Sequence, residues 1–337
     1  MFAISPVPKR GRKGNDILGP QNPDRMRQEP DTVCPPDTDH GKMPNMKWSF
    51  TDSHVRLEEG GWARETTVRE LPTSKELAGV NMRLGPGVYR EPHWHNESEW
   101  AYIIKGQCRI SVLDLEGGSY IDDLEEGTGK EGSILAKNFR VDEEVFNSLS
   151  EKEKYIFQGT IPGSLEDDRK KFPGGEVRIT DTSNFPISKT TAAAHVIINP
   201  GCLREMHWHP NADEWSFFLR GRARITIFAA SGNARTFNYQ AGDVGIVPKN
   251  NAHYVENIGD EPVEMLEMFK AAKFEDFSTE QWLAQTPATT VAEHLNLVGG
   301  NREKFLKSLS KDKTAVKAPL RKTRSMSDMA KALEELL

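Results

Sequence analysis

The chain has 337 residues, room for two ordinary domains, and its 27 Gly and 20 Pro favour turn-rich β structure over helical bundles. A net charge of −6 argues against a nucleic-acid partner, and no stretch is apolar for long enough to span a membrane as a helix, so neither is expected. Three cysteines, Cys34, Cys108 and Cys202, are odd in number and widely spaced, and they make no disulfide framework.

In chain order, Met1–Pro8 lacks a leading charge and an apolar stretch long enough for a secretory signal, so a cytoplasmic location is expected, conditional on this N-terminus. The basic runs Lys9-Arg10-Gly11-Arg12-Lys13 and Arg321-Lys322-Thr323-Arg324 read as solvated tail. Between them the chain repeats itself. Pro72-Thr73-Ser74-Lys75 matches Pro186-Ile187-Ser188-Lys189, and Gly87/Gly201 and His93/His207 follow at the same offset. After one inserted residue, Glu99/Glu214, Gly106/Gly221 and Gly127/Gly242 keep step. Arg109–Leu113 and Arg224–Phe228 are short, β-branched and bounded by turn residues, which predicts a strand in each copy.

Beyond Gly127 the match stops. The second copy runs on through Asp243–Pro248 to His253, a strand-like Val263–Phe269 and a predicted helix over Thr279–Leu297. The first copy passes directly to Ile134–Val141, which resembles Thr290–Leu297, so it lacks roughly forty residues by internal comparison. The lost block should contain core strands, leaving sheet edges unpaired and an apolar face uncovered. Further helical patterns lie at Glu143–Glu153, after Asn301 and over Ser327–Leu337.

Two histidines two apart on a strand share a face, so His207 and His209 can both aim inward. The turn Pro210–Asp213 carries the chain to Glu214, and His253 must come from a third strand. Three imidazoles and a carboxylate suit manganese, with iron as the second choice, and leave two octahedral positions open for substrate or dioxygen. The first copy offers only His93, His95 and Glu99. His40, His54, His195 and His294 all fall outside the position equivalent to His253. Two histidines and a carboxylate can still hold iron as a facial triad, but the missing strands favour a damaged, metal-poor site.

The full patterns are Gly201-x5-His207-x-His209-x4-Glu214-x6-Gly221 and Gly242-x5-Pro248-x4-His253-x3-Asn257. They resemble the two cupin motifs, with Asn250 where the family usually has a glycine; Asn tolerates the left-handed turn required there. Asp39-His40-Gly41, Asn45–Phe50, Gly61-Trp62-Ala63-Arg64, Glu99-Trp100-Ala101-Tyr102 and Tyr155–Gly159 further resemble the bicupin oxalate decarboxylase family. That resemblance implies a mainly β fold of two tandem cupin (double-stranded β-helix, jelly-roll) domains with short peripheral helices. On this reading residues 1–65 form an N-terminal arm, 66–141 a truncated first cupin, 142–179 an inter-domain segment, 180–297 a complete second cupin and 298–337 a tail. It implies manganese-dependent, dioxygen-requiring conversion of oxalate to formate and carbon dioxide, in a protein that can form homo-oligomers.

The resemblance also places an arginine beside each metal, Arg204 and Arg90, to polarise oxalate or a similar small carboxylate, and makes Glu267 a proton-transfer group. Strand alternation alone does not turn those arginines inward. In the family, decarboxylation is ascribed mainly to the N-terminal site under a lid bearing a proton-donating glutamate, and that lid falls in the missing block. Three readings follow: an impaired decarboxylase, an oxalate oxidase making peroxide, or a non-catalytic metal-binding or storage bicupin. The gap itself reads either as a true deletion or as a mis-spliced gene.

Overall fold

A computed structural model of the chain describes residues 22, 24–25, 38–113, 119–125, 170–185 and 188–318. Cys34, Gly127, the basic runs and the patterns at Ile134–Val141, Glu143–Glu153, Tyr155–Gly159 and Ser327–Leu337 lie outside the described residues.

Short β-branched runs punctuated by Gly and Asn give short strands throughout. In chain order they are β1 (Lys47–Ser49), β2 (Arg56–Glu58), β3 (Gly61–Thr66), β4 (Gly79–Leu84), β5 (Gln107–Leu113), β6 (Ser119–Glu125), β7 (Lys170–Phe172), β8 (Gly175–Thr180) and β9 (Ala192–Ile198). They continue with β10 (Leu203–Trp208), β11 (Glu214–Arg220), β12 (Arg222–Ala229), β13 (Asn233–Gln240), β14 (Asp243–Val247), β15 (Ala252–Asn257), β16 (Val263–Phe269), β17 (Phe277–Ser278) and β18 (Val316–Lys317). The fold is mainly β, as expected.

The second copy closes into two facing sheets. One has the order β1-β14-β11-β16-β9-β8-β7 and the other β13-β12-β15-β10-β17, with β18 also paired to β10. Alternation does the packing: Ala223, Ile225 and Ile227 of β12 are fully buried and meet Val244 and Ile246 of β14 in one core. Pairing crosses the expected segment limits. β1 of the arm is hydrogen-bonded to β14, and β7 and β8 of the segment before residue 180 extend the sheet beyond β9.

The first copy is fragmentary by comparison. β2, β3 and β4 form a separate sheet, and among the described residues β5 pairs only with β6. Val80, Met82 and Leu84 share one face of β4 and are all exposed, the uncovered apolar face that a missing second half predicts.

The helix predicted over Thr279–Leu297 is instead two, α1 (Thr279–Gln285) and α2 (Ala288–His294). Pro287 is the cause: it disfavours helical backbone at Thr286, which is extended at φ −83°, ψ 143°. Ser278 caps α1 by accepting from the Gln281 N–H. A third helix, α3 (Gly300–Ser308), follows. No helix among the described residues is long and apolar enough to cross a membrane.

Candidate metal centre

β10 delivers two of the candidate ligands, His207 and His209 lying at its end. It pairs with β15 on one side and with β17 and β18 on the other, which fixes its faces. Between Arg204 and His207 the register with β15 slips, and this irregularity resets the alternation. Arg204 and His207 therefore both point inward despite odd spacing, while Met206 faces solvent. The inward arginine that the resemblance implied has its physical cause in this bulge. Glu214 starts β11, and His253 lies on β15 opposite His207. Asn250, at φ 63°, makes the left-handed turn before β15, and its N–H donates to the His209 carbonyl at 2.8 Å.

His207, His209, Glu214 and His253 are all buried, with ligand atoms within 4.8 Å of one another. Each imidazole is oriented by its far nitrogen. Nδ1 of His207 donates to the Glu205 carbonyl at 2.7 Å, that of His209 to the Glu275 carbonyl at 2.7 Å, and that of His253 to the Asn251 carbonyl at 3.1 Å. A carbonyl can only accept, so in the neutral rings Nε2 carries the lone pair. Nε2 of His209 and of His253 then faces Glu214 Oε2 at 3.1 and 3.0 Å, acceptor against acceptor, and buried His207 Nε2 has no hydrogen-bond partner. A cation among these four groups satisfies all of them. The donor set fits a first-row divalent metal, and outer contacts of this kind are what hold metal-ligating histidines in place.

The electrostatics agree. Burial, reinforced by Arg204 and the neighbouring imidazoles, pushes His207 well below its usual pKa and keeps it a lone-pair donor. Burial opposes charge on Glu214, but with no cation bound, protons on His253 and His209 outweigh it and hold the carboxylate well below its usual range, the place a cation takes when it displaces them.

Glu267 lies on β16, paired with Ser216 of β11 and fully buried. Burial, then the charge of Glu214, drives its pKa well above the ordinary carboxylate value, and neither of its oxygens has a hydrogen-bond partner. Both causes favour the protonated acid over the carboxylate at this position beside the candidate ligands.

The first copy keeps the residues without the scaffold. His93, His95 and Glu99 again cluster within 4.8 Å, but all three are exposed. His95 Nε2 contacts Glu99 Oε2 at 2.9 Å, and His93 Nδ1 reaches the Glu91 carbonyl at 2.9 Å, echoing His207. Residues 85–106, the counterpart of β10 and β11, form no strand. β10 and β11 draw their ladder partners β14, β15, β16, β17 and β18 from beyond Gly242, the region whose counterpart the first copy lacks. Trp94 is accordingly 93% exposed, whereas Trp208 packs against Phe277 and Trp282. The contact with Glu99 raises the His95 pKa, and Arg90, exposed on the same loop, opposes it only weakly.

Asp276, Lys313, Glu205 and Ser278 surround Arg204 and were not singled out in the sequence. Nothing in the sequence around them has the spacing of a site motif.

Residues 50–146 and 164–303 match the Cupin family. The chain is 45% identical to oxalate decarboxylase OxdC of Bacillus subtilis, covering 92% of this chain and 96% of that protein. It is 34% identical to a probable oxalate decarboxylase of Arthroderma benhamiae, covering 88% and 92%. Among solved structures, one concerning the Mn(II) centres of the Bacillus subtilis oxalate decarboxylase superposes with a TM-score of 0.75 at 44% identity, covering 94% of this chain and 100% of that one. The Bacillus alignment spans 377 positions, more than the 337 residues here, so the relative contains residues with no counterpart in this chain.

Proposed function

Because this chain belongs to the oxalate decarboxylase family of cupins, we propose that it converts oxalate to formate and carbon dioxide at a manganese held by His207, His209, Glu214 and His253. The observation that carries this reading is the asymmetry of the two clusters: one buried and four-membered, the other exposed and three-membered.

Bound there, manganese supplies Lewis-acid and one-electron chemistry. The protein supplies the rest. Arg204 presents a buried guanidinium to a carboxylate of oxalate; burial works against its charge, but the Asp276 carboxylate hydrogen-bonded to it more than offsets that and holds its pKa above the usual value. The reaction breaks the C–C bond, releases one carbon as carbon dioxide and places a proton on the other. Glu267, buried and with its pKa pushed well above the usual carboxylate value, is positioned to hold that proton. In the oxidase alternative no proton reaches carbon: two electrons pass to dioxygen, both carbons leave as carbon dioxide, and peroxide forms. The first-copy residues Arg90, His93, His95 and Glu99 are, on this reading, a remnant whose exposure leaves any metal in exchange with solvent.

Formate and peroxide assays on the manganese-loaded protein separate the readings. Glu267→Gln preserves shape and removes the transferable proton. It is expected to keep its manganese and lose about 10²–10⁴-fold in formate formation, with peroxide rising as a share of product. Formate at the parent rate would remove Glu267 from the mechanism. Bound manganese with neither product would leave only the metal-binding or storage reading.

A further inference from the structure

Around Arg204 lies a layer of charge that the reaction outlined above does not use. Arg204 is fully buried, and its Nη2 donates to Asp276 Oδ2 at 2.6 Å. The other oxygen of Asp276 accepts from the Lys313 ammonium. One buried carboxylate thus holds two cations, one on each oxygen.

Lys313 is far away in sequence and arrives on a C-terminal strap. β18 pairs with β10, Val316 opposite Arg204. The Ala315 carbonyl accepts from the Glu205 N–H at 3.0 Å and from Arg204 Nη1 at 3.4 Å, and the Val316 carbonyl accepts from the Gly174 N–H at 3.2 Å. Lys317 pairs with Glu280, and Gln281 Nε2 donates to the Lys311 carbonyl at 2.9 Å. The strap fits tightly: a Cβ on Gly174 would lie 2.5 Å from the Lys317 carbonyl carbon.

We propose that Asp276 is a positioning residue for Arg204 and that Lys313 completes the same clamp, so that the C-terminal strap forms part of the carboxylate-binding end of the second centre. The inference rests on reading that centre as an oxalate site. A guanidinium is a planar fork and recognises a carboxylate only when its plane is set. Left free, Arg204 has a competing acceptor in Glu267, whose two oxygens are buried without hydrogen bonds. Closing onto Glu267 would turn the guanidinium away from the substrate. Asp276 prevents this by engaging Nη2, while Arg204 Nε stays buried with no hydrogen-bond partner. Asp276 alone would add an anion at the end of the site where a dianion must bind, and Lys313, on its other oxygen, offsets that charge.

The test uses full-length, manganese-loaded protein as parent, Asp276→Asn, Lys313→Met and Lys313→Arg. Manganese content, oxalate affinity from the change in the Mn(II) electron paramagnetic resonance spectrum, and kcat and KM for formate production are measured. Lys313→Met and Asp276→Asn are expected to keep the parent's manganese while the oxalate Kd and KM rise about tenfold or more, kcat changing less. Lys313→Arg should return both to within about threefold of the parent, because it restores the cation. Asp276→Asn strands two buried cations and can fail to fold; Lys313→Met, altering a partly exposed side chain, then decides alone. Unchanged Kd and KM in Lys313→Met, or loss of its manganese, would overturn the clamp. If the parent binds oxalate but yields neither formate nor peroxide, the catalytic reading falls and the Kd values still decide the clamp. If the parent binds no oxalate, both fall.

Discussion

His253→Ala is expected to leave the protein without tightly held manganese and to cut formate formation by at least about 100-fold, the upper end of what losing even an outer partner of a metal ligand costs. His95→Ala, the same truncation of the same residue type, should change neither. The difference follows from burial and support. His253 is 2% exposed, is held through Nδ1 by the Asn251 carbonyl and aims Nε2 at Glu214. The His95 side chain is 46% exposed, on a segment with no strand ladder to hold it. Metal analysis and a formate assay on the two variants check this. Equal losses in both would show that the exposed cluster contributes as much as the buried one.

Arg204→Met should be costly twice over. The guanidinium is fully buried in contact with the Asp276 carboxylate, and removing one member of a buried ion pair typically costs about 3–5 kcal/mol. Lys313 remains on Asp276, which places the expected loss at the lower end of that range, a fall in Tm on the order of 10 °C or less. For activity, the variant loses the group that recognises a carboxylate, and kcat/KM is expected to fall by roughly 100-fold or more. Arg204→Lys separates the two effects: it keeps a cation for Asp276 and should recover stability, but it lacks the fork and should recover little affinity. Thermal denaturation and steady-state kinetics on both variants test this. A Met variant with parental KM would show that Arg204 serves folding alone.

The candidate ligands were legible because metal chemistry constrains residue type and spacing together. His207 and His209 on one strand face, a turn to Glu214, and His253 after the left-handed Asn250 all leave marks in the sequence. The fate of the first copy was legible only in part. Its motif survives residue by residue, yet residues 85–106 form no strands, because a strand is made by its neighbours and those neighbours belong to the segment with no counterpart there. The break between α1 and α2 could have been read from Pro287. The inward turn of Arg204 could not, since it depends on a register slip that leaves no residue signature. Nor could the pairing of Asp276 with Lys313, which joins two unremarkable polar positions through the path of the C-terminal strap. Glu267 stood between: strand placement came from the strand-like apolar run around it, whereas its raised pKa follows from burial beside Glu214.

The central claim is that the two His-Trp-His clusters are unequal and that only the buried one is a metal centre. Manganese content after loading and exhaustive dialysis tests it most directly. About one equivalent per chain is expected, retained in His95→Ala and lost in His253→Ala. Retention of two equivalents, or of a single equivalent that disappears with His95 rather than His253, would contradict it.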